Sequence, residues 1–255
     1  MIERTPYPSP NPHVRLYTVV YKSGGLRVKG FLAEPLDDEQ HDGLLYLRGG
    51  IKSVGMVRPA RIAEFAAEGF IVFAPFYRGN RGGEGNEDFA GEDREDAFSG
   101  FDLLQDNERV RNGRVHVFGF SRGGVMAILT AIYRPVSSLV TWGGVSDMIL
   151  TYKERSDMRR MMKRVIGGSP NKVPEQYDWR TPLNEAAMIT APVFIIHGRL
   201  DDNVSVEHAY RLEKKLDKAD ILYFNEYDHY IPPAVNRKIV GKIAVWMKEK
   251  GKGNV

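Results

Sequence analysis

The chain has 255 residues, of which 42% are hydrophobic, and its 36 Lys and Arg residues nearly balance its 33 Asp and Glu residues. This length is enough for one large domain, and a formal net charge of +3 without a long basic block does not favour a nucleic-acid partner. Because the sequence contains no cysteine, it excludes disulfides, thiolate metal ligands and a cysteine nucleophile.

The first ten residues, MIERTPYPSP, lack the basic and then apolar pattern of a signal peptide. No apolar run approaches the roughly 20 residues that a membrane span needs. We therefore expect a cytoplasmic protein without a membrane partner. The sequence also lacks the common zinc-hydrolase and nucleotide-binding motifs, so we expect no metal and no cofactor. It predicts no oligomeric state.

The predicted elements begin with two alternating runs, VRLYTVVYK and LRVKGFLAE, which flank Ser23-Gly24-Gly25 and indicate an antiparallel hairpin. GLLYLRGG, RPARIAEFAAEGF and IVFAPFY then predict strand, helix and strand. The alternation continues through EDREDAFSGFDLLQ, RVHVF, VMAILTAIY and SLVTW, and later through PVFIIHG, VEHAYRLEKKL, ILYFNEY and RKIVGKIAVWMKE. Apolar strands that alternate with amphipathic helices predict an α/β fold with a mostly parallel, doubly wound sheet.

The alternation breaks between Ser146 and Ala191. There MILTYKERSDMRRMMKRVIGG has a helical pattern and SPNKVPEQYDWRTP is typical of a loop. We interpret 146–191 as a short helical cap insertion within a single domain, 1–255. Its interleaved Met, Arg and Lys residues also suit a membrane or partner-binding helix, but a short segment in the middle of the chain favours the cap.

The motif GFSRGG, Gly119 to Gly124, joins a predicted strand to a predicted helix. A strand that enters a helix through Gly-x-Ser-x-Gly turns sharply, and the serine at the apex is exposed above the sheet. Backbone N–H groups at the start of the helix then point toward an anion formed beside it. Ser121 is therefore the candidate nucleophile, and the alternative is that it only caps the helix.

A serine nucleophile needs a base, and the base needs a carboxylate that orients it. The run PVFIIHGRLDDNV ends a predicted strand and delivers Asp201 and Asp202 to a loop, and ILYFNEYDHYIPP likewise delivers His229. This order, Ser then acid then His, is the one found in doubly wound hydrolases. The residues themselves do not decide between the two aspartates. The other histidines lie too early or within elements, except His197, which we expect to brace the aspartate loop.

Two backbone N–H groups are candidates for an oxyanion hole. One belongs to Arg122, which follows the serine, and the other to Gly50 in the loop after LLYL, with Gly49 as the alternative. The glycines could instead serve only to reverse the chain. Arg48 is the candidate for binding a substrate carboxylate, because Arg pairs with such groups through two hydrogen bonds. In the competing interpretation, Arg78 and Arg122 pair with the acidic segment 91–96.

GFSRGG, PVFIIHGRLDDNV and YDHY, together with FAPFYRGNRGGEG and WRTPLNEAAMITAPVFIIHG, resemble the catalytic domain of the prolyl oligopeptidase group of α/β hydrolases. The resemblance covers nearly the whole chain and is greatest to small stand-alone bacterial members. It implies the α/β-hydrolase fold and serine-hydrolase activity. The family pattern His-Gly-x-x-Asp-x-x-Val also implies that Asp201 is the acid.

Three features depart from that family. Arg48-Gly49-Gly50-Ile51 stands where members usually have Tyr-Gly-Gly-Pro or His-Gly-Gly-Pro, so a tyrosine hydroxyl donor is missing there. Tyr230 follows the histidine where glycine is common. Nothing before the domain resembles the propeller of the large peptidases, so their selectivity for short peptides is not implied.

The sequence therefore predicts a serine hydrolase that cleaves an ester or amide bond of a small molecule or short peptide through Ser121, His229 and Asp201, with an acyl-enzyme intermediate. One alternative is a carboxylesterase without peptidase activity. Another is a non-catalytic binding module that uses the basic cap to hold a partner.

Overall fold

The computed structural model describes residues 1–251, which contain nine β-strands and eight α-helices. The strands are β1 (Glu3–Tyr7), β2 (Val14–Ser23), β3 (Leu26–Pro35), β4 (His41–Leu47), β5 (Phe70–Pro75), β6 (Val110–Phe120), β7 (Ser138–Trp142), β8 (Val193–Gly198) and β9 (Asp220–Phe224). The helices are α1 (Pro59–Ala67), α2 (Arg94–Gln105), α3 (Gly123–Tyr133), α4 (Met148–Glu154), α5 (Arg159–Ile166), α6 (Pro174–Trp179), α7 (Glu207–Lys215) and α8 (Pro233–Lys250).

The strands form one sheet in the order β1-β2-β3-β5-β4-β6-β7-β8-β9. β2 pairs antiparallel with both β1 and β3, and β3 pairs antiparallel with β5. Every further pair along the sheet, from β5 to β9, is parallel. This confirms the predicted α/β-hydrolase fold with its antiparallel start. The sequence did not predict β1, whose five residues are all exposed at the edge of the sheet. It includes Pro6, which strands tolerate at such an edge.

Both faces of the sheet are covered by helices. Along β4 the side chains alternate, so that Leu44 and Tyr46 pack with α1 and α8, whereas Leu45 and Leu47 pack with α2 and α3. These contacts define two apolar layers, one on each face, that hold the parallel strands rigidly. No helix in the described part of the chain is long and apolar enough to cross a membrane.

The segment 146–191 differs in detail from its predicted form. The long helical pattern is divided into α4, a 3₁₀ turn at Ser156–Met158 and α5, which ends at Gly167 with a φ of +100°. Because glycine has no Cβ atom, Gly167 adopts this left-handed conformation without strain, and a residue of this kind commonly ends a helix. The predicted loop contains the short helix α6, which begins at Pro174. Proline suits the first turn of a helix because no intrahelical N–H bond is needed there.

The parallel topology places the candidate residues at one edge. β4, β6, β8 and β9 all have their carboxyl ends on the same side of the sheet. The loop from Arg48, the turn at Ser121, the loop at Asp201 and the loop with His229 follow these strands. In open α/β sheets this edge is where ligands bind.

Candidate active site

Ser121 occupies a strained turn between β6 and α3. Its φ of +56° lies in the left-handed region that non-glycine residues rarely adopt. Its N–H donates to the carbonyl oxygen of Trp142 at 3.2 Å, and its own carbonyl oxygen accepts from the N–H groups of Gly124 and Val145 at 2.9 Å each. These three hydrogen bonds hold the conformation in place.

The glycines on either side of Ser121 are sterically required. A Cβ atom at Gly119 would lie 2.3 Å from the carbonyl oxygen of Gly123, and one at Gly123 would lie 2.0 Å from the carbonyl oxygen of Leu47. The residue at the N-cap of α3 is Arg122, and no side-chain hydrogen bond caps this helix. The capping alternative for Ser121 therefore has no support, and the geometry matches a nucleophile turn.

His229 and Asp201 form a buried pair across two loops. His229 Nδ1 lies 2.7 Å from Asp201 Oδ2, while Asp201 Oδ1 accepts from the N–H groups of Asn203 and Val204 at 2.9 Å each. Asp202 instead is exposed, and its carboxylate contacts Asn203 at 3.4 Å. The structure thus brings Asp201, and not Asp202, to the imidazole of His229.

The surroundings of Asp201 keep its carboxylate ionised. Burial acts to raise its pKa, but hydrogen bonds from His197 and His229, and the charge of His229, together hold the pKa well below its usual range. His197 is itself buried, and its Nε2 lies 2.8 Å from the carbonyl oxygen of Val204. The position of His197 matches the bracing role expected from the sequence.

Ser121 and His229 line the same cavity of about 810 Å³. The loop from Gly49 to Arg58 forms part of its lining, and Met158 and Met161 from the segment 146–191 form another part. The ring centroids of His229 and Phe120, the residue before the serine, are 4.9 Å apart. Within residues 1–251, no hydrogen bond joins Ser121 Oγ to the imidazole. Such bonds are often long in unliganded hydrolases and tighten when substrate binds.

The loop after β4 lies directly against the serine. A Cβ atom at Gly49 would lie 2.6 Å from Ser121 Cβ and 3.1 Å from its Oγ, so this position accepts only glycine. Gly50 follows with a φ of +67°. In the described residues, the N–H groups of Gly50 and Arg122 donate to no protein acceptor. Neither N–H group is used within the part of the fold that the structure describes, and the close approach at Gly49 shows that this loop requires glycine for more than chain reversal.

A buried ionic cluster lies behind this loop. We define it by Arg48, Glu87, Arg122 and Asp93, all of which are buried. Arg48 Nη2 donates to both Glu87 oxygens at 3.2 Å, and Arg122 donates to Glu87 Oε1 and, at 3.2 Å, to Asp93 Oδ2. Glu87 therefore connects the residue before Gly49 with the residue after Ser121.

The predicted substrate-binding role of Arg48 finds no support in this arrangement. Its guanidinium also donates to the carbonyl oxygens of Gly49 and Phe76 at 2.9 Å each, which leaves little capacity for a ligand. Arg78 is bound to Asp96 at 2.9 Å, and Arg122 to Asp93. The arginines thus hold loops in place, as in the competing interpretation, because a buried guanidinium needs a carboxylate partner.

Sequence similarity relates this chain to a known protein family. The model of the prolyl oligopeptidase family matches residues 56–253. The chain belongs to the prolyl oligopeptidase family. It is accordingly a peptidase-like hydrolase with the α/β-hydrolase fold. A relative from Bacillus subtilis (strain 168), described as uncharacterized peptidase YtmA, is 61% identical over 98% of this chain and 100% of its own length.

Solved structures share the fold at low sequence identity. Acylaminoacyl peptidase from Pyrococcus horikoshii has a TM-score of 0.78 and 20% identity over 93% of this chain, which spans 42% of that protein. A puromycin-hydrolyzing peptidase from Mycobacterium tuberculosis has a TM-score of 0.82 and 20% identity, with coverages of 94% and 40%. Acetyl xylan esterase 1 from Thermoanaerobacterium sp. JW/SL YS485 has a TM-score of 0.77 and 17% identity, with coverages of 96% and 87%.

Two features of this prolyl oligopeptidase family member were not foreseen from its sequence. Glu87 lies in the glycine-rich stretch RGNRGGEGNE, where its burial between two arginines could not be anticipated. Arg58, Arg61 and Arg237 line the cavity system near His229 but come from distant parts of the chain. The pattern RPARIAEF predicted a helix and carried no sign that its first arginines face the site.

Proposed function

We propose that this protein is a serine hydrolase that cleaves an ester or amide bond of a small molecule or short peptide through an acyl-enzyme on Ser121. His229 acts as the general base and acid, and Asp201 orients it. The proposal rests on one observation. Ser121, in its strained turn, and His229, which is paired with Asp201, line the same cavity. We further propose that 1–255 acts as a single domain, with 146–191 as the cap of this cavity.

The proposed reaction begins when His229 takes the proton of Ser121 Oγ as the oxygen attacks the substrate carbonyl carbon. The N–H groups of Arg122 and Gly50 stabilise the negative charge that develops on the carbonyl oxygen. When the tetrahedral intermediate collapses, the bond to the leaving group breaks and His229 gives its proton to the departing oxygen or nitrogen. A water molecule then releases the acyl group by the same steps. The ionised Asp201 stabilises the imidazolium that forms twice in the cycle.

Active-site labelling tests this assignment. The folded protein is treated with a fluorophosphonate, and the modified residue is identified by mass spectrometry. We expect one adduct on Ser121, no adduct in Ser121→Ala, and retained labelling in Ser53→Ala, which removes another serine of the same cavity. Hydrolysis of an activated ester should fall on the order of 10⁶-fold in Ser121→Ala.

The same preparation separates the alternatives. Ester turnover without cleavage of a short-peptide amide would identify a carboxylesterase. Absence of both an adduct and turnover in folded protein would reject the hydrolase mechanism and favour a binding module.

A further inference from the structure

A second cavity of about 480 Å³ adjoins the active-site cavity beyond His229. The two share the side chains of Tyr46, Arg58, Arg61, Phe120, His229 and Tyr230. We call the second one the arginine cavity, because Arg58, Arg61 and Arg237 line it. Ser121 lines only the first cavity, whereas His229 lines both, so the imidazole lies where the two cavities adjoin.

The proposed reaction predicts which part of the substrate lies in the arginine cavity. His229 must protonate the leaving atom, so the departing part of the substrate lies at the imidazole, while the acyl carbon lies at Ser121. A leaving group larger than a few atoms continues past the ring of His229. The arginine cavity opens there, and this inference therefore rests on the proposed roles of Ser121 and His229.

The charged wall of the arginine cavity is formed where two helices begin. Arg58 precedes α1, Arg61 lies in its first turn, and Arg237 lies near the start of α8. Arg61 is fixed across the helices, since its Nη1 donates to Glu64 Oε2 at 2.8 Å and to Asn236 Oδ1 at 2.6 Å.

The positive charge of this wall is only partly neutralised. Within residues 1–251, Arg58 and Arg237 form no ion pair, and Glu64 is the only acidic residue among those that line the cavity. Three guanidinium groups thus face one carboxylate. A guanidinium binds a carboxylate through two parallel hydrogen bonds, so a second carboxylate supplied by a ligand fits this wall.

Aromatic side chains form another part of the wall of the arginine cavity. Tyr46 and Phe118 stack with ring centroids 5.1 Å apart, and Trp142 meets Phe118 edge-on at 6.3 Å. All three rings are more than nine-tenths buried and are held by the apolar layer beneath α1 and α8. This surface accepts the apolar body of a ligand whose carboxylate faces the arginines.

We propose that the arginine cavity binds a carboxylate carried by the leaving group of the substrate. The preferred substrates are then acyl compounds whose departing part is an acid, either the carboxyl-terminal residue of a short peptide or a hydroxy acid. Bond cleavage releases that acid with the proton from His229 on its new amine or hydroxyl group, and water later releases the acyl group from Ser121.

Matched substrate pairs test the proposal. The ester pair is the acetyl ester of 3-hydroxybenzoate against that of 3-hydroxybenzamide, and the amide pair is N-acetylalanylglycine against its glycinamide. We expect kcat/KM to favour the acid of a pair by about 10-fold or more, as one well-placed charged hydrogen-bonding group provides. In Arg58→Gln/Arg237→Gln this ratio should fall toward one, mainly through KM of the acid. Lys214→Gln/Lys215→Gln, which removes two charges at the end of α7, should keep the ratio.

A binding measurement separates this proposal from the proposed function. Calorimetry with Ser121→Ala should show tighter binding of 3-hydroxybenzoate than of 3-hydroxybenzamide, and the arginine double variant should remove the difference. Turnover with equal binding of the two compounds, or with a ratio that the double variant does not change, would overturn the arginine cavity alone. Selective binding of the acid by a protein that neither labels nor hydrolyses would overturn the hydrolase mechanism alone.

Discussion

Two groups of arginines lie around the candidate active site, and they differ in how their charges are neutralised. In the buried ionic cluster, Arg48 and Arg122 share the carboxylate of Glu87. In the arginine cavity, Arg58 and Arg237 are exposed and, among residues 1–251, have no carboxylate partner. Burial makes an unpaired charge very costly, so the first group must be satisfied within the fold. Exposed guanidinium groups remain hydrated and can exchange water for a ligand.

The buried ionic cluster also connects the two loops that hold the proposed oxyanion donors. Besides the arginines, Glu87 accepts from the N–H of Lys52 at 2.7 Å and from Asn80 Nδ2 at 3.0 Å. One carboxylate therefore fixes the loop with Gly50 relative to the turn at Ser121. Oxyanion stabilisation depends on donors that are already in position before the reaction.

Removing the charge of Glu87 should produce the largest effect. Glu87→Gln leaves Arg48 without its carboxylate and Arg122 with only Asp93, so we expect the free energy of unfolding to fall by about 3–5 kcal/mol in urea titrations. Glu64→Gln is the matched control, because Glu64 is the carboxylate of the arginine cavity and is partly exposed. Its effect should stay below about 1 kcal/mol. Equal losses in the two variants would contradict the distinction between the groups.

Asp93 gives the buried ionic cluster a dependence on pH. Burial raises its pKa to about 7, against the opposing charge of Arg122 and with help from the neighbouring Asp88 and Glu87. The ordinary value is 3.8, so between about pH 4 and pH 7 the folded protein keeps a proton that the unfolded chain releases. The contribution of this group to stability is therefore greatest below that window and is lost as the pH rises through it.

The variant Asp93→Asn isolates this contribution. The free energy of unfolding of the unmodified protein minus that of Asp93→Asn should fall as the pH rises from 4.5 to 7.5, by at most about 1.4 kcal/mol per pH unit. The opposing contribution of His208, whose pKa burial lowers to about 4, is the same in both proteins and cancels in this difference. Asp201 does not interfere, because its lowered pKa stabilises the fold above the ordinary value and loses that effect only at lower pH. Parallel slopes in the two proteins would show that Asp93 is ionised throughout.

The sequence predicted the parts of the site that are determined by local chemistry. A serine between glycines at a strand-to-helix junction is subject to the same steric limits in any such turn, and Ser121, Asp201 and His229 follow strands whose ends must meet at one edge. The partner of each arginine could not be predicted in this way. Arg48 was a reasonable candidate for substrate binding until the fold placed Glu87 against it.

Contacts between distant segments account for the other differences. β1 is held by pairing with β2 rather than by an apolar pattern of its own, and α6 occupies a stretch in which proline and polar residues indicated a loop. Arg58 and Arg237 are separated by most of the chain, so only the packing of α1 and α8 on one face of the sheet shows that they share a cavity. Periodicity reports which face of an element is buried, but not which charged side chains meet at its ends.

A higher salt concentration should produce the smallest effect, and it should weaken the interactions of the arginine cavity but not those of the buried ionic cluster. Raising the ionic strength from 0.1 M to 1 M shortens the Debye length from about 10 Å to about 3 Å, which screens exposed charges far more than buried ones. The preference in kcat/KM for the acid over the neutral substrate should therefore fall a few-fold over this range of sodium chloride. The loss of stability caused by Glu87→Gln, measured at the same two salt concentrations, should stay nearly constant. The opposite result is a weaker effect of Glu87→Gln at high salt with an unchanged substrate preference. It would contradict the assignment of the buried ionic cluster to stability and of the arginine cavity to substrate binding.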